Sequence, residues 1–188
     1  MILLHNLVTY TLISGLLILI AGCSEDKLRS DITYIDLTDA NVGYNDPYYL
    51  DIDTDGESEF VLNTSLIADA VGDHLQFRIF PRFSNGVVGA ADSVAVLPDG
   101  ELIGADAPPD KSNQILAVKV TTHDRISWQG AWHTVQNRYA GIRFKLANSD
   151  YYYGWVRISV DTGIEKVIVH DMAYCHIAGS RIKAGSIQ

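Results

Sequence analysis

Asp51-Ile52-Asp53-Thr54-Asp55-Gly56-Glu57-Ser58-Glu59 fits the spacing D-x-D-x-D-G-x-x-E. That spacing serves the capture of a hard cation by oxygen ligands. Carboxylates at alternate positions converge on one ion, and a glycine in sixth place permits a sharp turn. The seventh residue then turns its carbonyl inward, and a carboxylate in ninth place closes the site. Those roles fall to Asp51, Asp53, Asp55, the backbone of Glu57, and Glu59. An all-oxygen donor set favours calcium over a transition metal. The alternative is a solvated acidic hairpin turn, in which crowded aspartates repel one another without compensation. The expected role of calcium is structural: it pins a hairpin.

Other chemistry is hard to find in the chain. There is no G-x-S-x-G elbow, no H-E-x-x-H pair and no P-loop. His123-Asp124 and His170-Asp171 are adjacent pairs, and adjacent residues on a strand point to opposite faces. His170 and His176 share parity without a third ligand. No catalytic residue is therefore expected, although a carboxylate pair for glycoside hydrolysis is a spatial feature that sequence does not display. Aromatic residues give the better hint of a ligand. Trp128, Trp132, Tyr151, Tyr153 and Trp155 are placed to form a platform for sugar rings, with Arg143 and Arg157 as polar partners. The preferred alternative is that this face packs beneath a second layer and the aromatics are core.

The N-terminal segment speaks to location. Met1 to Gly22 contains no Asp, Glu, Lys or Arg, and its apolar stretch Leu12 to Ala21 is short for a bilayer span but suits a signal h-region. It ends in Ile20-Ala21-Gly22-Cys23, which resembles the lipobox of bacterial lipoproteins, where cleavage leaves an acylated cysteine. Residues 1–22 are expected to be a lipoprotein signal peptide, residues 23–30 an acylated Cys23 with a polar tether, and residues 31–188 one domain. Two or more acyl chains give stable anchoring where one does not. Ser24-Glu25-Asp26-Lys27 resembles the short acidic signal that sends lipoproteins to the outer face of the outer membrane; the alternative is a plain tether. The expected location is the bacterial outer membrane, lipid-anchored and surface-exposed.

The formal net charge of −9 falls entirely after the uncharged leader. Such a surface argues against nucleic acid as a partner. Cys23 and Cys175 are the only cysteines, so acylation of Cys23 leaves no intramolecular disulfide, and Cys175 reads as a small buried residue. Period-two alternation dominates from residue 31 onward. It predicts strands at Ile32 to Leu37, Tyr48 to Ile52, Phe60 to Thr64, His74 to Phe80 and Ser93 to Leu97. Further strands are predicted at Ile115 to Thr121, Tyr139 to Leu146, Tyr151 to Val160 and Lys166 to His170. A short helix is predicted around Ser65 to Val71, and a long loop at Gly104 to Ser112. The expected fold is all-β: an antiparallel sandwich or barrel-like single domain. A tight loop at Asn148-Ser149-Asp150 would set Phe144 opposite Gly154, Arg143 opposite Trp155 and Lys145 opposite Tyr153.

The order of motifs carries a resemblance. Ile32-Thr33-Tyr34-Ile35-Asp36-Leu37 precedes the acidic loop. Later come Tyr139-Ala140-Gly141-Ile142-Arg143-Phe144 and Tyr153-Gly154-Trp155-Val156-Arg157-Ile158, then Asp171-Met172-Ala173-Tyr174 and Ile182-Lys183-Ala184-Gly185. The chain resembles a group of uncharacterised exported bacterial β-proteins, found in surface and PEP-CTERM-type secreted forms, here in a lipoprotein form. The acidic loop itself resembles the calcium loops set in hairpins of FG-GAP/VCBS-type and integrin-like domains; Leu62 stands where an EF-hand needs its bidentate Glu. The resemblance implies export and a β-fold, with the lipid on Cys23 in place of a sorting tail, and leaves about Asp69 to Gln136 unmatched. The expected function is a non-catalytic, calcium-stabilised binding or adhesion module for a polysaccharide or a surface protein. The alternative is a hydrolase acting on extracellular polysaccharide.

Overall fold

The computed structural model describes residues 31–106, 114–146 and 150–188. The expected leader, Cys23 and the tether lie outside them, as does most of the expected Gly104 to Ser112 loop. Among the described residues the chain is all β. Strand β1 is Ile32–Val42, β2 Tyr48–Leu50, β3 Phe60–Ala68, β4 Asp73–Pro81, β5 Gly86–Val87, β6 Gly89–Ala90 and β7 Ser93–Val94. Then come β8 Leu102–Ile103, β9 Gln114–Thr121, β10 Ile126–Gln129, β11 Arg138–Lys145, β12 Tyr151–Asp161, β13 Lys166–Cys175 and β14 Ile182–Lys183.

Two sheets make the sandwich. The first runs β1-β13-β12-β11-β5, and the second runs β2-β3-β4-β9-β7-β6 with β10 beside β9. Every pairing is antiparallel except β7 with β9. Between the sheets lie Phe60, Leu62, Phe77 and Ile79 from one side and Ile142, Phe144, Val156, Ile158 and Val169 from the other. The even-numbered residues of β12 face this core, as the alternation predicts. Its odd residues are covered as well. The two-stranded ribbon β8–β14 lies over the outer face of the first sheet, where Ile103, Ile182 and Ala184 pack with Tyr153, Trp155, Ala173 and Cys175. Cys175 is buried there with a free thiol.

Two expectations change. The segment from Ser65 is not helical: β3 continues to Ala68, pairing Ser65 with Gln76 and Ile67 with His74. Neighbouring Leu66 and Ile67 break the alternation there because both are exposed near the hairpin tip. The β11–β12 register also differs by two residues. Lys145 pairs with Tyr151, Arg143 with Tyr153, Gly141 with Trp155 and Phe144 with Tyr152, so residues 146–150 separate the strands. Gly154 accordingly makes room for β13 and not for Phe144: an added Cβ would lie 2.6 Å from the Ala173 carbonyl oxygen.

Candidate metal loop and the polar network on the outer sheet

The acidic loop is closed by the Leu50–Phe60 pair of β2 and β3. Ile52 is buried in the core and anchors its start. Thr54 (φ 60°) and Gly56 (φ 93°) adopt left-handed backbone, which makes the turn. Gly56 N–H donates to Asp51 Oδ2 at 2.9 Å, and Ile52 N–H donates to Glu59 Oε2 at 2.7 Å. The result gathers one carboxylate oxygen each from Asp51, Asp53 and Glu59 within 4.8 Å of one another. Two ligands on opposite sides of a calcium ion, each at about 2.4 Å, would be about 4.8 Å apart. Asp51 Oδ1 and Asp53 Oδ1 are shut off from solvent and have no hydrogen-bond partner. Burial pushes the Glu59 carboxyl above the ordinary range. Asp53 and Asp51 push it the same way, and backbone N–H bonds oppose them.

Of the other expected ligands, the Asp55 carboxylate stands apart. Asp55 is exposed, and its Oδ1 accepts the Glu57 N–H at 2.8 Å in a local turn. The Glu57 side chain is exposed as well. The short local hydrogen bond thus competes for Asp55 where a full calcium loop would turn it inward. Glu59 is held from outside the loop: its carbonyl accepts from Arg82 N–H at 2.9 Å and from Asn85 Nδ2 at 3.2 Å. Asn85 Oδ1 in turn accepts the Lys145 N–H at 3.0 Å, which ties the loop across to the first sheet.

The predicted aromatic platform is mostly interior. Trp132 is fully buried and donates to the Val94 carbonyl; Trp155 is buried and donates to the Ser186 carbonyl. Tyr153 lies under the β8–β14 ribbon, and Trp128 stacks on Phe77 at 5.7 Å. These rings therefore do not form an open face, because segments distant in sequence cover them. Tyr151 alone of the set keeps cationic neighbours: the Arg143 guanidinium lies 4.3 Å and the Lys145 ammonium 4.7 Å from its ring centre. The cations expected against Trp155 and Tyr153 meet Tyr151 because of the changed register. Arg157 is engaged elsewhere. Its Nε and Nη2 hold the buried Asp171 at 2.9 and 2.5 Å, and its Nη1 donates to Asn137. That bidentate pair raises the Arg157 pKa, and a hydrogen bond to the same carboxylate raises that of Tyr34.

A second constellation was not visible in the sequence. Ser159 Oγ lies 2.7 Å from His170 Nε2, and His170 Nδ1 lies 2.5 Å from Asp39 Oδ1. Strict alternation would send His170 and Asp171 to opposite faces. The β12–β13 register slips between Arg157 and Ile158, however, so Asp171 meets Arg157 while His170 reaches Ser159, both on the odd face of β12. A matching slip in β1 between Asp36 and Ala40, with Thr38 at φ 55° and Asp39 at φ 52°, brings Asp39 into line. Bulges re-aim side chains in this way. In type the trio matches a nucleophile, base and orienting acid. Its exposure runs the wrong way. Ser159 is 1 % exposed, the His170 side chain 14 % and the Asp39 side chain 74 %. Ser159 Oγ also accepts the Asn137 N–H at 2.9 Å. The arrangement clamps three strands together.

Comparison of the chain with protein-family models, with curated proteins and with solved structures finds no match.

Proposed function

We propose that this protein is an exported, lipid-anchored surface protein whose sandwich acts as a calcium-stabilised binding or adhesion module. The observation that carries the calcium part is the convergence of Asp51, Asp53 and Glu59, with two carboxylate oxygens shut away from both water and hydrogen-bond donors. Buried acceptors are nearly always partnered, and like charges held this close need a counter-charge. A calcium ion supplies both. The anchor reading is carried by the run ending at Cys23. The binding reading draws support from the cationic and aromatic end of β11 and β12.

The test is thermal unfolding of the mature domain in calcium and in EDTA, for wild type and Asp53→Ala. A calcium-dependent rise in Tm that the variant lacks is expected; equal Tm in both buffers would remove the metal from the proposal. Labelling with radioactive palmitate, lost in Cys23→Ala, tests the anchor separately.

The alternative of a polysaccharide-acting hydrolase draws on one observation, the Ser159–His170–Asp39 chain, whose chemistry would be cleavage of ester groups on the polysaccharide and not of its glycosidic bonds. The inaccessible Ser159 hydroxyl weighs against it. Covalent modification of Ser159 by a fluorophosphonate would revive that alternative.

A further inference from the structure

The turn that hangs from Glu59 presents Phe83, at 67 % the most exposed aromatic side chain among the described residues. Its φ of 56° lies in the left-handed region, a costly place for a bulky side chain. Backbone strain of this kind persists only where the surroundings impose it, and it clusters at functional sites. Here the surroundings are rigid. Arg82 N–H and Asn85 Nδ2 both donate to the Glu59 carbonyl, Asn85 N–H closes the turn onto the Arg82 carbonyl at 3.0 Å, and Asn85 itself is 2 % exposed. The Arg82 guanidinium lies 5.1 Å from the Phe83 ring centre. Through its side chain, Asn85 joins this turn directly to Lys145, beside the Tyr151 ring that Arg143 and Lys145 flank. Two rings and three cations thus lie on segments that Asn85 ties together, in a chain whose net charge is −9.

We propose that Arg82, Phe83, Arg143, Lys145 and Tyr151 form a binding surface for an anionic sugar chain, one that carries uronate or sulfate groups. The C–H face of a sugar ring stacks on the open side of Phe83, while Tyr151 holds Arg143 and Lys145 in place, and the acid groups pair with the guanidinium and ammonium groups. This inference rests on the reading of the protein as a binding module and adds the place and the charge of its ligand. It also gives the strained turn a purpose: a ring that adds little to the core is fixed in the open.

The test measures binding of the intact mature protein, in calcium, to polygalacturonate, dextran sulfate and neutral dextran, and to phosphatidylglycerol vesicles. Phe83→Gly removes the ring and suits the left-handed backbone, so the fold is retained. Arg82→Gln removes one cation, and Lys183→Gln removes the same charge from the exposed end of β14. Expected is binding to one or both acidic polymers, weakened about tenfold by Phe83→Gly and by Arg82→Gln but not by Lys183→Gln. Binding to acidic chains that all three variants keep, or that all three lose equally, would overturn the site and leave the binding module standing. Preference for neutral dextran would overturn the charge assignment. Binding to vesicles alone would replace the sugar with a membrane. Binding to nothing in the panel would sink this inference and the sugar-binding reading beneath it.

Discussion

The acidic loop and the relay on the outer sheet each bring three polar side chains together, and they differ in which atoms are left without partners. Asp51, Asp53 and Glu59 come from one short loop and carry like charges, and two of their oxygens have neither donor nor solvent. Asp39, His170 and Ser159 come from three neighbouring strands, and each hydrogen-bonding group along the line has a partner. A polar cluster that satisfies itself stabilises the framework it bridges. One that cannot satisfy itself is incomplete until something else arrives. By that criterion the loop is where the proposed calcium would supply what the protein does not, and the trio serves as a clamp between strands.

The largest expected effect breaks the loop side of this contrast. Calcium at about a hundred times its Kd adds about 2.7 kcal/mol, which is roughly 5–10 °C of Tm for a domain of this size. Asp53→Ala should abolish that gain and at the same time raise the Tm of the metal-free protein, because Asp53 is the first of the two charges that oppose Glu59 ionisation. The pH dependence follows with a definite sign. The folded Glu59 pKa lies above the unfolded one, so protonation favours the fold. In EDTA this stabilisation is complete below about pH 4.3, the ordinary glutamate value, and fades as pH rises through the raised Glu59 value. Calcium needs the carboxylates ionised, so its contribution should grow over the same window. Melting curves in EDTA that are flat across it, with calcium equally effective throughout, would contradict the arrangement.

The next effect breaks the relay side. Ser159→Ala takes the acceptor from Asn137 N–H and the partner from His170 Nε2, two part-buried hydrogen bonds. Each lost hydrogen bond costs about 0.5–1.5 kcal/mol. Asn137 sits at φ 52°, so its backbone has little freedom to find another acceptor. Denaturant unfolding should show this loss, and the calcium response should stay at its wild-type size because the two clusters share no residue. A smaller calcium response in Ser159→Ala would mean that the regions are coupled and the contrast is wrong.

Legibility in the sequence follows the same division. The long strands were readable because period-two alternation is local: β1, β3, β4, β9, β11, β12 and β13 all carry it. The two-residue strands β5, β8 and β14 owe their existence to distant partners and no local pattern marks them, while the strand expected at Ser93 to Leu97 shortens to β7, paired locally with β6. Asp51, Asp53 and Glu59 could be named because a loop brings sequence neighbours together, whereas the local bond from Glu57 that draws off Asp55 could not. Burial of Tyr153 and Trp155 depends on Ile103 and Ile182, which only the folded ribbon puts over them. The relay was hidden by the very rule used to read strands. Alternation separates His170 from Asp171, and a bulge puts their side chains to work on one face of β12.

The smallest effect is expected at the open end of the relay, and it measures how much of the clamp is charge and how much is shape. Asp39 combines a 74 % exposed carboxylate with left-handed backbone. A hydrogen bond to an exposed carboxylate contributes about 1 kcal/mol or less. Asn keeps an oxygen for His170 Nδ1–H and tolerates the left-handed region well, so Asp39→Asn should change stability by less than that. Asp39→Ala loses the acceptor and suits the backbone poorly, and it should cost more than Asn. Asp39→Gly relieves the backbone but also lacks the acceptor, so its place between the two apportions the clamp between conformation and hydrogen bond. If Asn cost as much as Ala, the negative charge would be the clamp's main element. The relay would then resemble the acidic loop in depending on charge, and the contrast between the two regions would narrow.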